Sequence, residues 1–340
     1  MLRILLAALS ALLTARALTP AAGRFALRVG ALDRPGEARR IHDRPIPRMG
    51  GLAVFAGLCL GLGFFPAEAR RILPGAALVT LLGAADDRYD LPPEAKLLGQ
   101  SVSAAAAILG GVEIRFLTVF SLPAALPRPV GILLTVVWIV GMSNALNLLD
   151  GLDGLSAGVT AVGCACTLWV CCACPGCASA AGVMAALGGA CLGFLPYNRH
   201  PARIFLGDAG SLLLGYTVGC AAVLGPCKAY TALSFALPLL IWALPILDTA
   251  LAVVRRFRRG ESPFRADRRH VHHRLLDAGF SQPEAAAVLC LVSAALGLGA
   301  VLLASPPPQK PGAAGLMLAA ASLAWRRAWQ PLRRRKAAEA

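Results

Sequence analysis

Apolar runs long enough to cross a bilayer recur along this chain, and few charges interrupt them. A hydrocarbon core of about 30 Å takes roughly 20 apolar residues in a helix. Inside lipid, each backbone N–H and C=O must find its partner within the protein, so runs of this length fold as helices. Only 15% of the 340 residues are charged, whereas a soluble domain carries about 25%. The chain therefore reads as all-α and polytopic. Eleven spans are expected, near 2–20, 50–66, 72–85, 97–111, 129–146, 155–174, 178–196, 209–226, 231–253, 284–304 and 312–325, or ten if one of the short runs does not cross. Residues 1–325 form one integral membrane domain, and 326–340 a basic tail.

The formal net charge of +15 resembles a nucleic-acid signal until it is mapped. With alternating loops, one face holds 21–49, 84–96, 143–154, 197–208, 254–283 and the tail, and these segments carry 25 of the 33 lysines and arginines. That asymmetry is the positive-inside rule. It places this face and the C-terminus in the cytoplasm and the N-terminus outside. The basicity is then topological, with some attraction to anionic lipid, and no nucleic-acid partner is expected. The first run, with Arg3 and Ala15-Arg-Ala17, looks like a signal peptide. Seven arginines in 21–49 argue instead for an uncleaved span.

A transporter would place polar residues along its helices near the midplane. Here they gather at the cytoplasmic ends of spans, in five clusters. The first is Ile41-His-Asp-Arg-Pro-Ile-Pro-Arg48-Met-Gly-Gly51, where arginines suit a phosphate or a lipid head group. The second runs from Asp86-Asp87 to Lys96 and Gln100; adjacent carboxylates can hold Mg²⁺, or one can act as a general base. The third is Asn144-Ala-Leu-Asn147-Leu-Leu-Asp150-Gly-Leu-Asp153-Gly, within an otherwise apolar stretch. An ionised Asp at mid-bilayer costs roughly 2.5–3.5 kcal/mol on insertion scales. If that segment is helical, Asn147, Asp150 and Asp153 share one face.

The fourth cluster, Asn198 to Ser211, contains Phe205-Leu-Gly-Asp208-Ala-Gly-Ser, a helix start able to hold phosphate directly or through a metal. Phe205 could stack on a base. The fifth runs from Asp248 through an arginine-rich stretch to Asp267-Arg-Arg269-His270-Val-His272-His273-Arg274. Zinc would need ligands from elsewhere to reach four. A diphosphate is the better fit, with Arg269 and Arg274 as forks and the histidines as donors. Six cysteines lie between Cys164 and Cys177. They read as small apolar filler, with a Cys174–Cys177 disulfide open in an oxidising compartment. Carboxylates for a divalent metal and a basic loop for a diphosphate, all at one membrane face, suit phosphoryl transfer from a soluble activated phosphate to a lipid.

Taken in order, the five motifs resemble the polyprenyl-phosphate N-acetylhexosamine-1-phosphate transferases, over nearly the whole chain. The resemblance implies transfer of a sugar-1-phosphate from a UDP-N-acetylhexosamine to undecaprenyl phosphate with release of UMP, aided by Mg²⁺ or Mn²⁺. By the same resemblance, Asp86 and Asp87 match the paired aspartates proposed for metal and for deprotonating the lipid phosphate. Asp208 matches the metal aspartate, Asn147 and Asp150 the polar residues near the nucleotide, and Phe205 the aromatic against uracil. Lys96 and Asn198 match other active-site positions. The interrupted His270-Val-His-His block is similar to the N-acetylglucosamine branch, which starts cell-surface glycans in the bacterial inner membrane. The phospho-MurNAc-pentapeptide branch usually has three consecutive histidines. A homodimer is among the expected partners.

Overall fold

Leucine and alanine divide the first helix between two environments. In α1 (Leu2–Val29), Ala7, Ala11, Ala15, Thr19, Ala22 and Ala26 are buried at three- and four-residue spacing. Leu2, Leu5, Leu9 and Leu13 lie exposed on the opposite side. Outside water, that inversion is favourable: lipid accepts the leucines, and small residues let helices approach closely. A computed structural model describes residues 1–33, 45–119, 122–174, 176–225, 236–260 and 270–305, together with 312, 315, 316 and 319.

The strands β1 (Leu32–Asp33) and β2 (Ile46–Pro47) pair antiparallel and lead into α2 (Gly51–Leu62). A short α3 (Ala67–Arg70) precedes α4 (Leu73–Tyr89), and Pro92 then starts α5 (Pro93–Leu109). The hairpin of β3 (Phe116–Val119) and β4 (Leu122–Ala125) joins α5 to α6 (Arg128–Leu149). Next come α7 (Leu155–Ala173), α8 (Ala178–Asn198) and α9 (Gly207–Leu224). The chain continues through α10 (Ala236–Ile241), α11 (Ala243–Arg258) and α12 (Val271–Asp277). Last is α13 (Gln282–Ala304), opened by a capping box in which Glu284 accepts from the Ser281 N–H and hydroxyl at 3.0 and 2.7 Å.

The protein is an all-α, multi-pass membrane protein. Six described helices, α1, α6, α7, α8, α9 and α13, are long and apolar enough to cross a bilayer. The runs at 50–66, 72–85 and 97–111 form the shorter α2, α4 and α5. The expected span 231–253 is interrupted at Trp242. Pro245 has no N–H to offer the carbonyl of Ile241, so the ladder breaks there. The run at 312–325 lies almost entirely outside the described residues, as does the tail.

Helix α9 stands at the centre of the bundle, against α2, α4, α6 and α8. All its residues are buried except Asp208. Glycine makes that centre possible: a Cβ on Gly51 would collide with the backbone of Gly210, and one on Gly83 with that of Asp208. No disulfide joins the ten described cysteines, and Cys177 makes its side-chain hydrogen bond with Cys171.

Candidate active site

Helix ends, which leave backbone groups unpaired, converge at one end of the bundle. The last turn of α4 brings Asp86 and Asp87, and the first turn of α9 brings Asp208. The N–H groups of Asp208 and Ala209 donate to the two oxygens of Asp87 at 2.9 and 3.1 Å. Arg48, just before α2, adds its Nε at 3.2 Å from the same carboxylate. Gly207 makes this possible, because its φ of +71° and its missing side chain leave room for the Asp87 carboxylate.

Asp86 accepts from the Leu91 N–H at 2.7 Å and from Lys96 Nζ at 2.9 Å. The same ammonium lies 3.3 Å from Asp208. The other oxygen of Asp208 takes a hydrogen bond from Asn147 Nδ2 at 3.0 Å, and that amide also donates to Ser211 at 2.9 Å. Asp87 has no side-chain exposure, whereas Asp208 retains 17%, Lys96 28% and Arg48 31%. Asp87 is thus held inside, and Asp208 with its two cations faces the opening.

The third motif departs from one expectation. Asn147, Asp150 and Asp153 do not share a helical face, because α6 stops at Leu149 and Gly154 turns the chain at φ +74°. Asn147 points to Asp208. Asp153 turns away and binds His200 Nδ1 at 2.9 Å and the Ala202 N–H at 3.0 Å, fixing the loop before α9. Asp150 lies between these, and its carboxyl is pushed up to about 8, first by loss of water and then by the charges of Asp208 and Asp87.

The histidine block joins the site through glycine. A Cβ on Gly151 would strike the His272 ring. His272 stacks parallel to His270 at 5.8 Å, and His273 tilts over it at 4.3 Å. Burial, and then the neighbouring rings His273 and His270, push His272 down to about 4, so it is neutral at pH 7. His270 Nδ1 lies 3.0 Å from Asp248, whose other oxygen accepts from the Val271 N–H at 3.0 Å.

Other expected residues take varied places. Asn198 is buried and donates to the Ile204 carbonyl at 3.1 Å, which shapes the loop carrying Phe205. Phe205 is half-buried, and its N–H and carbonyl pair with Pro47 and Gly50. Arg274 is exposed on α12. Arg269 lies outside the described residues. The sequence reading gave no role to Asp248 or Ser211, although an acid inside an apolar run and a serine one turn after Asp208 were both visible.

Chemically, the end of the bundle has more acidic than basic side chains, Asp150 among them with its carboxyl raised. Four aspartates, 86, 87, 150 and 208, face two cations, Arg48 and Lys96. A divalent cation suits such hard oxygens. Among the described residues, no three His, Cys, Asp or Glu side chains make a ready cage.

Residues 69–226 match the family described as Glycosyl transferase family 4. A "Probable undecaprenyl-phosphate N-acetylglucosaminyl 1-phosphate transferase" of Bacillus subtilis (strain 168) is 38% identical over 90% of this chain and 86% of its own length. A decaprenyl-phosphate N-acetylglucosaminephosphotransferase of Mycolicibacterium smegmatis is 35% identical, covering 81% of this chain and 76% of its own. The undecaprenyl-phosphate alpha-N-acetylglucosaminyl 1-phosphate transferase of Escherichia coli (strain K12) is 31% identical, covering 81% and 77%. With its glycine-cradled aspartates and with relatives matched over most of its length, the chain belongs to glycosyl transferase family 4, among the polyprenyl-phosphate N-acetylhexosamine-1-phosphate transferases.

Proposed function

We propose that the protein transfers N-acetylglucosamine-1-phosphate from UDP-N-acetylglucosamine to undecaprenyl phosphate and releases UMP. The observation that carries this reading is the meeting of Asp86, Asp87, Asp208, Lys96 and Arg48 at the ends of membrane helices. There a soluble nucleotide and a lipid phosphate can reach one another. The named relatives act on the same class of lipid and sugar phosphate. The charge asymmetry supports a site on the cytoplasmic face of the bacterial inner membrane.

In this reading an oxygen of the lipid phosphate attacks the β-phosphorus of the donor. The bond from that phosphorus to the bridging oxygen breaks, and UMP leaves with the electron pair. Lys96 and Arg48 place positive charge where the transferring phosphate gathers negative charge. Asp86 takes any proton remaining on the attacking phosphate. Asn147 holds Asp208 in place, and Phe205 offers a face to the uracil. The histidine block with Arg269 and Arg274 receives the diphosphate. Mg²⁺, held by Asp208 with Asp87 behind it, would neutralise phosphate charge when bound, and Mn²⁺ could replace it.

The test is formation of lipid-linked sugar from labelled UDP-N-acetylglucosamine and undecaprenyl phosphate, with Mg²⁺ and with a chelator. Product that appears with Mg²⁺ and vanishes on chelation supports the reading. No product with any UDP-N-acetylhexosamine refutes it, and product only with UDP-MurNAc-pentapeptide moves the protein to the peptidoglycan branch. Label exchange between UMP and UDP-sugar without lipid would replace the single displacement by an aspartyl-bound intermediate.

A further inference from the structure

Asp248 sits in the second turn of α11, away from the carboxylate cluster, and 8% of it is exposed. Both its oxygens are committed to one place. One meets His270 Nδ1 at 3.0 Å, and the other accepts the Val271 N–H at 3.0 Å. His270 is itself 4% exposed and stands at the N-cap position of α12, whose first N–H goes to Asp248. The two residues are 22 positions apart, so the contact ties the start of α12 to α11.

From His270 the contact continues. Its ring lies parallel to that of His272, which is 2% exposed and abuts Gly151, next to Asp150. The Nδ1 of His272 is buried with no hydrogen-bond partner. A buried ring nitrogen left in that state costs free energy unless something else supplies the bond. Asp248 thus holds His270, and His272 lies stacked on that held ring.

We propose that Asp248 is a positioning residue for the transfer reaction, which acts through His270 to set the histidine block against the donor diphosphate. This rests on the reading of that block given under the proposed function. A carboxylate against Nδ1 fixes the ring orientation and holds the proton on that nitrogen. In the imidazolium form Nε2–H is then the donor left for the phosphates. Truncating such an outer partner typically costs about 10–100-fold.

The experiment compares Asp248→Asn, Asp248→Glu, His270→Gln and the double variant Asp248→Asn/His270→Gln, all as full-length protein in detergent. Asp248→Asn keeps the shape and an acceptor for the Val271 N–H but turns a donor toward His270. We expect KM for UDP-N-acetylglucosamine to rise about 10-fold or more, with KM for undecaprenyl phosphate unchanged and melting temperature retained. Asp248→Glu recovers part of the loss. The double variant is no worse than His270→Gln alone, because Asp248 acts only through that ring. Additive losses, equal effects on both substrates, or a fully active Asp248→Asn beside an impaired His270→Gln would overturn the proposal. A fully active His270→Gln would instead remove the diphosphate role of the block.

Discussion

The two ends of the bundle treat charge differently. At the site end, Asp87 is bound by residues 39 and more than 100 positions away, and Asp208 by Arg48 just before α2 and by groups on α5 and α6. At the other end, Glu113 is the buried acid, and it pairs with Arg115 at 3.3 Å and Arg128 at 3.8 Å, both well exposed. That second cluster is local in sequence and needs only two elements. A charge that merely fastens a hairpin can be satisfied by its neighbours. An array drawn from five separate elements, with an excess of acid, is arranged for something else.

The strongest way to break this comparison is Asp208→Asn. Turnover should fall roughly 1,000-fold, at the upper end of what one electrostatic group contributes, while the protein still inserts and melts near the parent temperature. Initial rates at saturating substrates check it, and an active variant would erase the distinction between the ends. Lys96→Met comes next. It removes the ammonium shared by Asp86 and Asp208, and a loss of about 100-fold is expected. If product formation is normal, Lys96 only offsets charge between two acids.

A smaller effect is expected from protonation within the histidine block. His272 is held near 4, below the unfolded value of about 6.5. The unfolded chain therefore takes a proton first as pH falls. The contribution is whole above about 6.5 and is lost as pH falls through about 4. Melting temperature should decline across that window, and His272→Gln should flatten the decline; an unchanged slope rejects the link. The least effect is expected from Glu113→Gln at the far end. Activity should stay within about twofold and stability within about 1 kcal/mol, since its partners are exposed. A large loss of turnover would show that the ends are coupled.

Much of this was legible in the residues. Apolar runs located the helices because lipid demands length and composition together. The described parts of the five polar clusters lie at one end of the bundle. What the chain concealed were partnerships across distance. No pattern links Asp153 to His200 or Asp248 to His270, since each pair forms only when separate helices pack. The helical face assigned to Asn147, Asp150 and Asp153 failed for a local reason: α6 ends at Leu149 and Gly154 turns the chain in the left-handed region. Likewise Pro245 divides an apolar run that looks continuous by hydropathy.

The partners of Asp87 also set an order of events. The N–H groups that cradle it lie 121 and 122 residues later, at the start of α9. A ribosome makes the acid long before its cradle exists. During that interval the half-built protein carries two neighbouring aspartates on α4, Asp86 with Lys96 close behind it and Asp87 with Arg48 but without its cradle. Placed mid-helix, they would resist insertion; placed at its tip, they remain in water until α9 arrives. A site built from helix ends is therefore also one whose acids can wait for their later partners.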